Sequence, residues 1–565
     1  MTPFGEKSGG NVAREIGPVN QVPRGEAGRG SGKRHLVRAA AVVAIMTLIG
    51  RICGLFRDIV SAKQFGTSWQ WDAFLYAFML PNLFRRVVGE GGLTSAFIPV
   101  YNEIHAQKSP AEAFRFANIT ISFLSVALLA FIVLVETLLH FLLKAGFQSQ
   151  TVMLTLELSR ILFPYLWFLS LYALGMGILN SHRHFLAPAA GPAILDLVWI
   201  AAVIWVPSWV GQDYLGRIRW LSYAVLFAGF LHVAVEWPPL CRIGFKFRWI
   251  WDMGYEGLKK TWRLLLPVVL SFAVVQINIT VDMTLGMMIG PGANSSLWYG
   301  NRLMQFPLGV FALAMGTALL PMLAQQIARG EKEASRKTLS FALRSVFFII
   351  IPSSVGLVVM REPIVRLLFE RGEFDAVSTA RSAAVLLGYT IGLFAFAGQK
   401  ILNSGYYAAH DSRTPMRTSV IALISNIAFN LILMIPLKEA GLALGTSLSG
   451  ILQLGQLIYF YPKRVGEFPF REIGASFLRI LAASIAMGVL CYFSWELLKI
   501  WIPGASTTRQ LLQVFGSIAA ATLGYLGLCF VCRVPEIQEA FAWFKKKRKP
   551  ESHPEEAENL VDGAA

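Results

Sequence analysis

Residues Ile121–Leu143 read ISFLSVALLAFIVLVETLLHFLL, an apolar run broken by a single acid, Glu136. A helix rises 1.5 Å per residue, so roughly 20 mostly apolar residues cross the hydrocarbon of a bilayer. A surface helix of a soluble protein would carry a polar stripe, and this stretch has none. Leu511–Cys532 (LLQVFGSIAAATLGYLGLCFVC) repeats the pattern with no charge at all. Across the 565 residues, 55% are apolar and only 15% charged, against about 25% charged in soluble domains. That leaves too little charge to clothe several water-facing domains.

Working outward, fourteen apolar segments follow one another at about 36–64, 72–104, 113–143, 152–181, 187–207, 219–240, 262–290, 297–327, 339–360, 377–409, 415–437, 441–461, 472–499 and 509–532. The expected fold is therefore an all-α polytopic membrane protein. The net charge of +17 would suggest nucleic acid on a soluble protein, but here the bases lie between the apolar segments. Base-rich connections (His182–His184, Cys241–Arg263, Arg329–Lys337, His410–Arg417, Tyr461–Arg471) alternate with base-poor ones (Gly290–Ser296, Leu437–Gly441). Arg361–Asp375 is the exception, with bases and four acids. The positive-inside rule makes the first set cytoplasmic. The basic N-terminal tail and Lys545–Lys549 fall on that same side, as an even number of spans requires. Residues 1–35 lack apolar periodicity and read as a disordered cytoplasmic tail, 241–261 as a basic cytoplasmic linker and 533–565 as a second charged tail. Cys53, Cys241, Cys491, Cys529 and Cys532 are scattered and form no metal-binding set; they read as small apolar residues.

An internal repeat organises the segments. ILNS occurs at Ile178–Ser181 and at Ile401–Ser404, an offset of 223; TSAFIPV around Pro99 echoes GTALLPM around Pro321, an offset of 222; Phe141–Phe147 echoes Arg366–Phe374. The repeat predicts two pseudo-symmetric six-helix lobes, 36–240 and 262–461, followed by two helices within 472–532. Six helices per copy is even, so both copies share one orientation, as in transporters that bind cargo between lobes.

Charges within apolar segments are costly in lipid and normally face a wet cavity or a partner. The candidates are Arg51, Arg57 and Asp58 in the first segment and Asp72, Arg85, Arg86 and Glu90 in the second. Asp282 lies in the seventh, and Arg302 beside Asn301 and Gln305 in the eighth. Arginine outnumbers acid, and its planar fork of donors suits phosphate oxygens. The set points to an anionic cargo and away from a cation exporter. No HExxH, P-loop or nucleophile–base pair is present, which counts against the rival reading of a membrane glycosyltransferase.

Several stretches resemble the MurJ (MviN) lipid II flippase family of the multidrug/oligosaccharidyl-lipid/polysaccharide exporter superfamily. These are GRICGLFRDIVSAKQFG (50–66), WDAFLYAFMLPNLFRRVVGEGGLTSAFIPVYNE (71–103), VDMTLG (281–286), WYGNRLMQFPLGVFALAMGTALLP (298–321), PIVRLLFERGEF (363–374) and ILNSGYYAAHDSRTP (401–415). The resemblance spans about 36–535. It implies a transporter, not an enzyme, that moves undecaprenyl-pyrophosphate-linked peptidoglycan precursor across the bacterial inner membrane by alternating access. Cell-wall synthesis proteins are the implied partners. Arg51, Arg57, Arg85 and Arg302 carry over as the pyrophosphate-binding arginines, with Asp58 and Asp72 positioning them or gating the lobes. The last two helices would form a groove for the lipid tail. The resemblance also implies a Na⁺ site at Asp282, Asn426, Asn430, Thr446 and the Leu442 carbonyl. Two departures stand out: Gln305 occupies a position where many members have an acid, and Asn430 replaces an acid found in some. A flippase for another lipid-linked oligosaccharide, of the O-antigen type, remains the alternative, because its cargo also bears pyrophosphate.

Overall fold

The computed structural model describes residues 29–87, 93–211, 213–504, 506–532 and 534–537. These residues are mostly helical, joined by short turns and loops, without strands. Nine of the helices are long and apolar enough to cross a membrane, or ten if the pair α13 (Ala376–Ile391) and α14 (Leu393–Ala408), bent by 42°, counts as one span. Among the described residues, every expected segment is mostly helical. Some are one rod, such as α4 (Pro110–Ala145) and α7 (Leu186–Val210); others are pairs, such as α2 (Trp69–Val87) with α3 (Leu93–Gln107) and α5 (Gln150–Leu162) with α6 (Tyr165–Ser181). One boundary moves: α1 runs Arg29–Phe65, so the last residues of the expected disordered tail belong to a helix. The tails before residue 29 and after residue 537 lie outside the described residues, as does Glu90; the side chains of Arg85 and Arg86 do too.

The surface shows what surrounds the protein. Ile435 is 82% exposed, Trp209 77% and Val531 76%, while Arg57 and Asp58 are buried. Apolar side chains out and charges in is the arrangement that lipid, not water, stabilises. Helix ends nonetheless follow ordinary rules. Ser109 accepts the Glu112 amide at the start of α4, where Pro110 needs no amide partner. Asp375 caps α13 through the Ser378 amide, at 2.8 Å, and that bond holds its carboxyl below the usual range.

Three interruptions shape the interior. α15 (Arg413–Arg464) is two arms meeting at Lys438, whose φ of 50° is a strained left-handed value for a non-glycine. The turn falls between the two segments expected at 415–437 and 441–461. α13 and α14 bend at Gly392. Between α10 (Ala293–Pro307) and α11 (Leu313–Ala328), residues Leu308–Ala312 widen into a π-helical turn. Pro307 lacks an amide and disrupts the regular ladder there.

In the first half of the chain α1 lies on α7, α7 on α8 (Tyr214–Arg242), α8 on α6 and α2 on α5. In the second half α15 lies on α9 (Glu256–Ile289) and α13. α16 (Phe470–Trp501) lies on α12 (Lys332–Phe369), and α17 (Thr507–Val531) on α16. The echoed prolines Pro99 and Pro321 fall in α3 and α11; the two ILNS copies fall in α6 and α14. The repeat thus lands like on like. α16 and α17 are pinned to α12 by Tyr525 donating to the Phe348 carbonyl (2.9 Å) and by Glu536, which meets Ser476 (2.7 Å) and Arg344 (3.4 Å).

Candidate functional site

A cavity of about 760 Å³ lies between the two halves, within the usual range for ligand sites. α1 contributes Arg51 and Arg57, α2 Asn82, α6 Tyr172, α7 Asp196 and α8 His232. From the second half come Gln276 and Asp282 of α9, Trp298, Asn301, Arg302 and Gln305 of α10, and Tyr389 of α13.

Its charged centre is a four-residue cluster. Arg57 donates through Nε (3.1 Å) and Nη2 (2.8 Å) to Asp58 Oδ1 and through Nη1 (2.8 Å) to Asp196 Oδ1. Arg302 Nε donates to Asp58 Oδ2, joining α10 to α1. The Arg57 guanidinium also lies 4.8 Å from the Trp199 ring centre and 5.8 Å from that of Trp298, both cation–π distances. Arg57 is therefore paired with two carboxylates through three of its five N–H groups and nearly sealed (side chain 7% exposed), whereas the Arg302 side chain is 36% exposed. Among the described lining residues three arginines, Arg51, Arg57 and Arg302, stand against two acids, a narrower excess than the apolar segments suggested. Asp196 and Asp282 offset it, and Asp58 sits behind the arginines. Asp196 escaped the sequence reading, although a lone acid in the apolar segment 187–207 was the signal applied elsewhere.

Arg51 is held differently. Its Nη2 donates to the Gly309 carbonyl at 3.0 Å, an oxygen at the π turn. The guanidinium makes no ion pair among the described residues and keeps donors for a ligand. A Cβ at residue 309 would come within 2.5 Å of Arg51 Nη1. Gly309→Val is therefore expected to displace Arg51 and cut transport about tenfold or more, the scale of losing one charge-assisted hydrogen bond, with membrane expression unchanged; transport in reconstituted vesicles checks it.

Gln305 donates to Asn301 one turn away. Its amide is partnered within α10, without the charge coupling an acid would bring. Asp72 does not line the cavity. It is 2% exposed and reaches from the first turn of α2 to the start of α10. There it accepts the Gly292 amide (2.5 Å), the Ser295 amide (2.7 Å) and the Ser295 hydroxyl. A carboxylate at a helix N-terminus is well placed to satisfy otherwise unpaired amides. Nearby, Tyr76 meets Thr284 (2.9 Å), Thr67 meets Ser378 (2.7 Å) and the Glu373 amide donates to the Lys63 carbonyl (3.0 Å). These bonds tie the two halves together and close one end of the cavity.

The five positions expected to hold Na⁺ do meet. Asn430 Nδ2 donates to Asp282 Oδ1 (2.6 Å) and to Asn426 Oδ1 (2.9 Å). Asn426 Nδ2 donates to Thr446 Oγ1 (3.2 Å), which bonds the Leu442 carbonyl (3.0 Å) and lies 3.4 Å from Asp282 Oδ2. Asn430 Oδ1 is buried with no hydrogen-bond partner. No cluster of three or more His, Cys, Asp or Glu side chains exists among the described residues.

Comparison with known proteins agrees with this geometry. The sequence profile of the family "Lipid II flippase MurJ" matches residues 61–511. The chain is similar to the "Probable lipid II flippase MurJ" of Rhizobium tropici, 33% identical, covering 88% of this chain and 93% of that one. It is similar also to the "Lipid II flippase MurJ" of Burkholderia cenocepacia, 29% identical over 91% of this chain and all (100%) of that one. Among solved structures it resembles "Lipid II flippase MurJ, inward closed conformation", with a TM-score of 0.71, 26% identity, and coverage of 87% of this chain and 98% of that one. An inward-facing multidrug resistance MATE transporter shares the fold alone, at TM-score 0.59 and 15% identity, over 79% of this chain and 98% of its own length. With its profile, its relatives and its fold in agreement, the chain belongs to the lipid II flippase MurJ family.

Proposed function

We propose that this protein moves lipid II from the cytoplasmic to the periplasmic leaflet of the bacterial inner membrane by alternating access. The family is one of transporters rather than enzymes, and the chain is a multi-pass membrane protein. The observation that carries the reading is the cavity lined from both halves, with Arg51 and Arg302 offering donors to its lumen around the buried, doubly paired Arg57. An arginine fork matches pyrophosphate oxygens. Asp58 holds Arg302 and Arg57 in place, so an arriving pyrophosphate competes with Asp58 for Arg302. That exchange loosens a bond between α1 and α10.

Residues 36–240 and 262–461 act as two lobes, linked by 241–261. The base-poor connections mark the periplasmic side, so the closed end around Asp72 is the periplasmic one and both termini are cytoplasmic. Residues 472–532 flank the second lobe and offer a path for the lipid tail. Rocking of the lobes transfers the headgroup, and the isoprenoid chain stays in the membrane.

The network around Asp282 fits a bound Na⁺. One carboxylate, two amide oxygens, a hydroxyl and a carbonyl form a hard oxygen set. The orphaned Asn430 Oδ1 would gain a partner if the amide turned toward the ion. Asp282→Asn is expected to abolish the Na⁺-induced rise in thermal stability of the purified protein and leave its stability in K⁺ close to that of the intact protein.

The function is tested by complementation in a bacterium depleted of its own lipid II flippase. The intact gene is expected to restore growth; Arg302→Ala and Arg51→Ala, at equal membrane levels, are expected to fail. No rescue by the well-expressed intact protein would favour another pyrophosphate-linked oligosaccharide, testable with that cargo in vesicles. Rescue by both variants would remove the arginines from the transport path.

A further inference from the structure

The linker between the lobes has a surface that transport of lipid II does not explain. Residues 245–254 are not helical; they run as an extended strap along α4. Polar side chains of α4 take the place of a neighbouring strand. Asn118 Nδ2 donates to the Lys246 carbonyl (3.1 Å), Asn118 Oδ1 accepts the Arg248 amide (3.0 Å), and Ser122 Oγ accepts the Ile250 amide (3.2 Å). Phe245 anchors one end beneath Phe114, with ring centres 5.7 Å apart. Tyr255 anchors the other, donating to Glu112 at 3.1 Å. The strap is thus held in register.

In an extended chain alternate side chains share an edge. Here that edge is Phe247, Trp249, Trp251 and Met253, which are 42%, 57%, 51% and 56% exposed. Four large apolar side chains in a row keep about half of their surface exposed on a locked backbone. Trp251 and Trp262 both contact Phe123 of α4, at 5.9 and 5.8 Å between ring centres. Phe123 lies in the apolar run that begins at Ile121, so the row is continuous with the lipid-facing belt. Interleaved with it are Lys246 and Arg248, exposed and without a side-chain hydrogen bond or ion pair among the described residues. Residues 241–263 hold six bases against two acids, and one of those acids, Asp252, already faces Arg115 at 3.7 Å.

Aromatic rings settle at the level of lipid headgroups, and flexible bases beside them reach toward phosphate. We propose that the strap is a binding site for anionic phospholipid headgroups of the cytoplasmic leaflet. Its aromatic row seats at the interface, and Lys246 and Arg248 take the headgroup phosphates. The inference rests on the membrane orientation given above. It also couples the lobes to the leaflet, because the strap leads directly into α9, whose Lys260 meets Glu103 of α3 at 2.5 Å.

The test uses the full-length protein in vesicles of fixed phosphatidylglycerol and phosphatidylcholine content, with one or the other lipid brominated on its acyl chains. Subtracting the fluorescence of Trp249→Phe isolates the Trp249 signal. Brominated phosphatidylglycerol is expected to quench Trp249 at least about twofold more than brominated phosphatidylcholine, the preference expected of two bases at an anionic surface. In Lys246→Ala/Arg248→Ala the two lipids are expected to quench equally. Equal quenching in the intact protein would overturn the headgroup site. Quenching by aqueous iodide and by neither lipid would overturn it too, and would point to a protein partner on that edge. Trp501, 76% exposed, serves as the control through Trp501→Phe. If it also escapes both lipids, the membrane reading itself has failed.

Discussion

Arg57→Ala is expected to lower stability by about 3–5 kcal/mol, the usual consequence of removing one partner from a buried charge cluster. The loss follows from what stays behind. Asp196 loses its 2.8 Å partner, and Asp58 keeps Arg302 as its one remaining cation. Asp196 is 6% exposed and Asp58 2%, so water cannot replace the guanidinium without opening the helix packing. The Trp199 and Trp298 faces lose their cation as well, although the Trp298 indole N–H still donates to Asp58 Oδ1 at 3.4 Å. The expected readings are a lower melting temperature in detergent and less protein in the membrane. Arg57→Ala/Asp196→Ala is expected to recover part of the stability, since the more orphaned carboxylate is then gone. If the double variant is no more stable than the single one, the Arg57–Asp196 pair is not what Arg57 stabilises. The prediction also explains why Arg51 and Arg302, rather than Arg57, are the better probes of transport: their loss leaves fewer buried charges unpaired.

Asp72→Ala is expected to release the contact between the halves that we propose as the periplasmic seal. The carboxylate accepts three donors from the start of α10, and bonds to a charged group contribute about 1.5–3 kcal/mol each. Even one such bond shifts a two-state balance by about tenfold or more. A cysteine pair at Thr67→Cys and Ser378→Cys reports the seal, since the two side chains meet at 2.7 Å; the five native cysteines are removed first. Cross-linking is expected to be efficient with Asp72 present and to fall about tenfold in Asp72→Ala, with transport lost in parallel. Asp72→Asn keeps an acceptor and loses the charge, so it should fall between the two. Unchanged cross-linking together with lost transport would place the role of Asp72 elsewhere than in the seal.

Much of the site was legible in the chain. Arg51, Arg57, Asp58 and Arg302 stood out because charges are rare in apolar segments; Arg57, Asp58 and Arg302 share one cluster, and Arg51 lines the same cavity apart from it. The Na⁺ candidates Asp282, Asn426, Asn430, Leu442 and Thr446 also meet, although only the family resemblance had grouped them. Asp72 was legible as an unusual acid, but its use was not. Nothing in WDAF says that the acid reaches the start of α10, some 220 residues away along the chain. Asp196 was missed for a related reason: one acid in an apolar stretch is a weak local signal until Arg57 is seen against it.

The membrane-spanning class, the helical segments and the repeat were determined by the sequence alone. Hydropathy accumulates along a short window, and lipid leaves a helix few alternatives, because every backbone polar group must be satisfied within the segment. Which charges are free and which are spent was decided only by the tertiary structure. Arg57 and Arg51 sit about two turns apart on one helix, yet one is paired with Asp58 and Asp196 while the other holds a single carbonyl at the turn after Pro307. Asp58 is next to Arg57 in the chain, but Asp196 and Gly309 are brought in by folding from 139 and 258 residues away, and such partners leave no trace in a side chain's own neighbourhood.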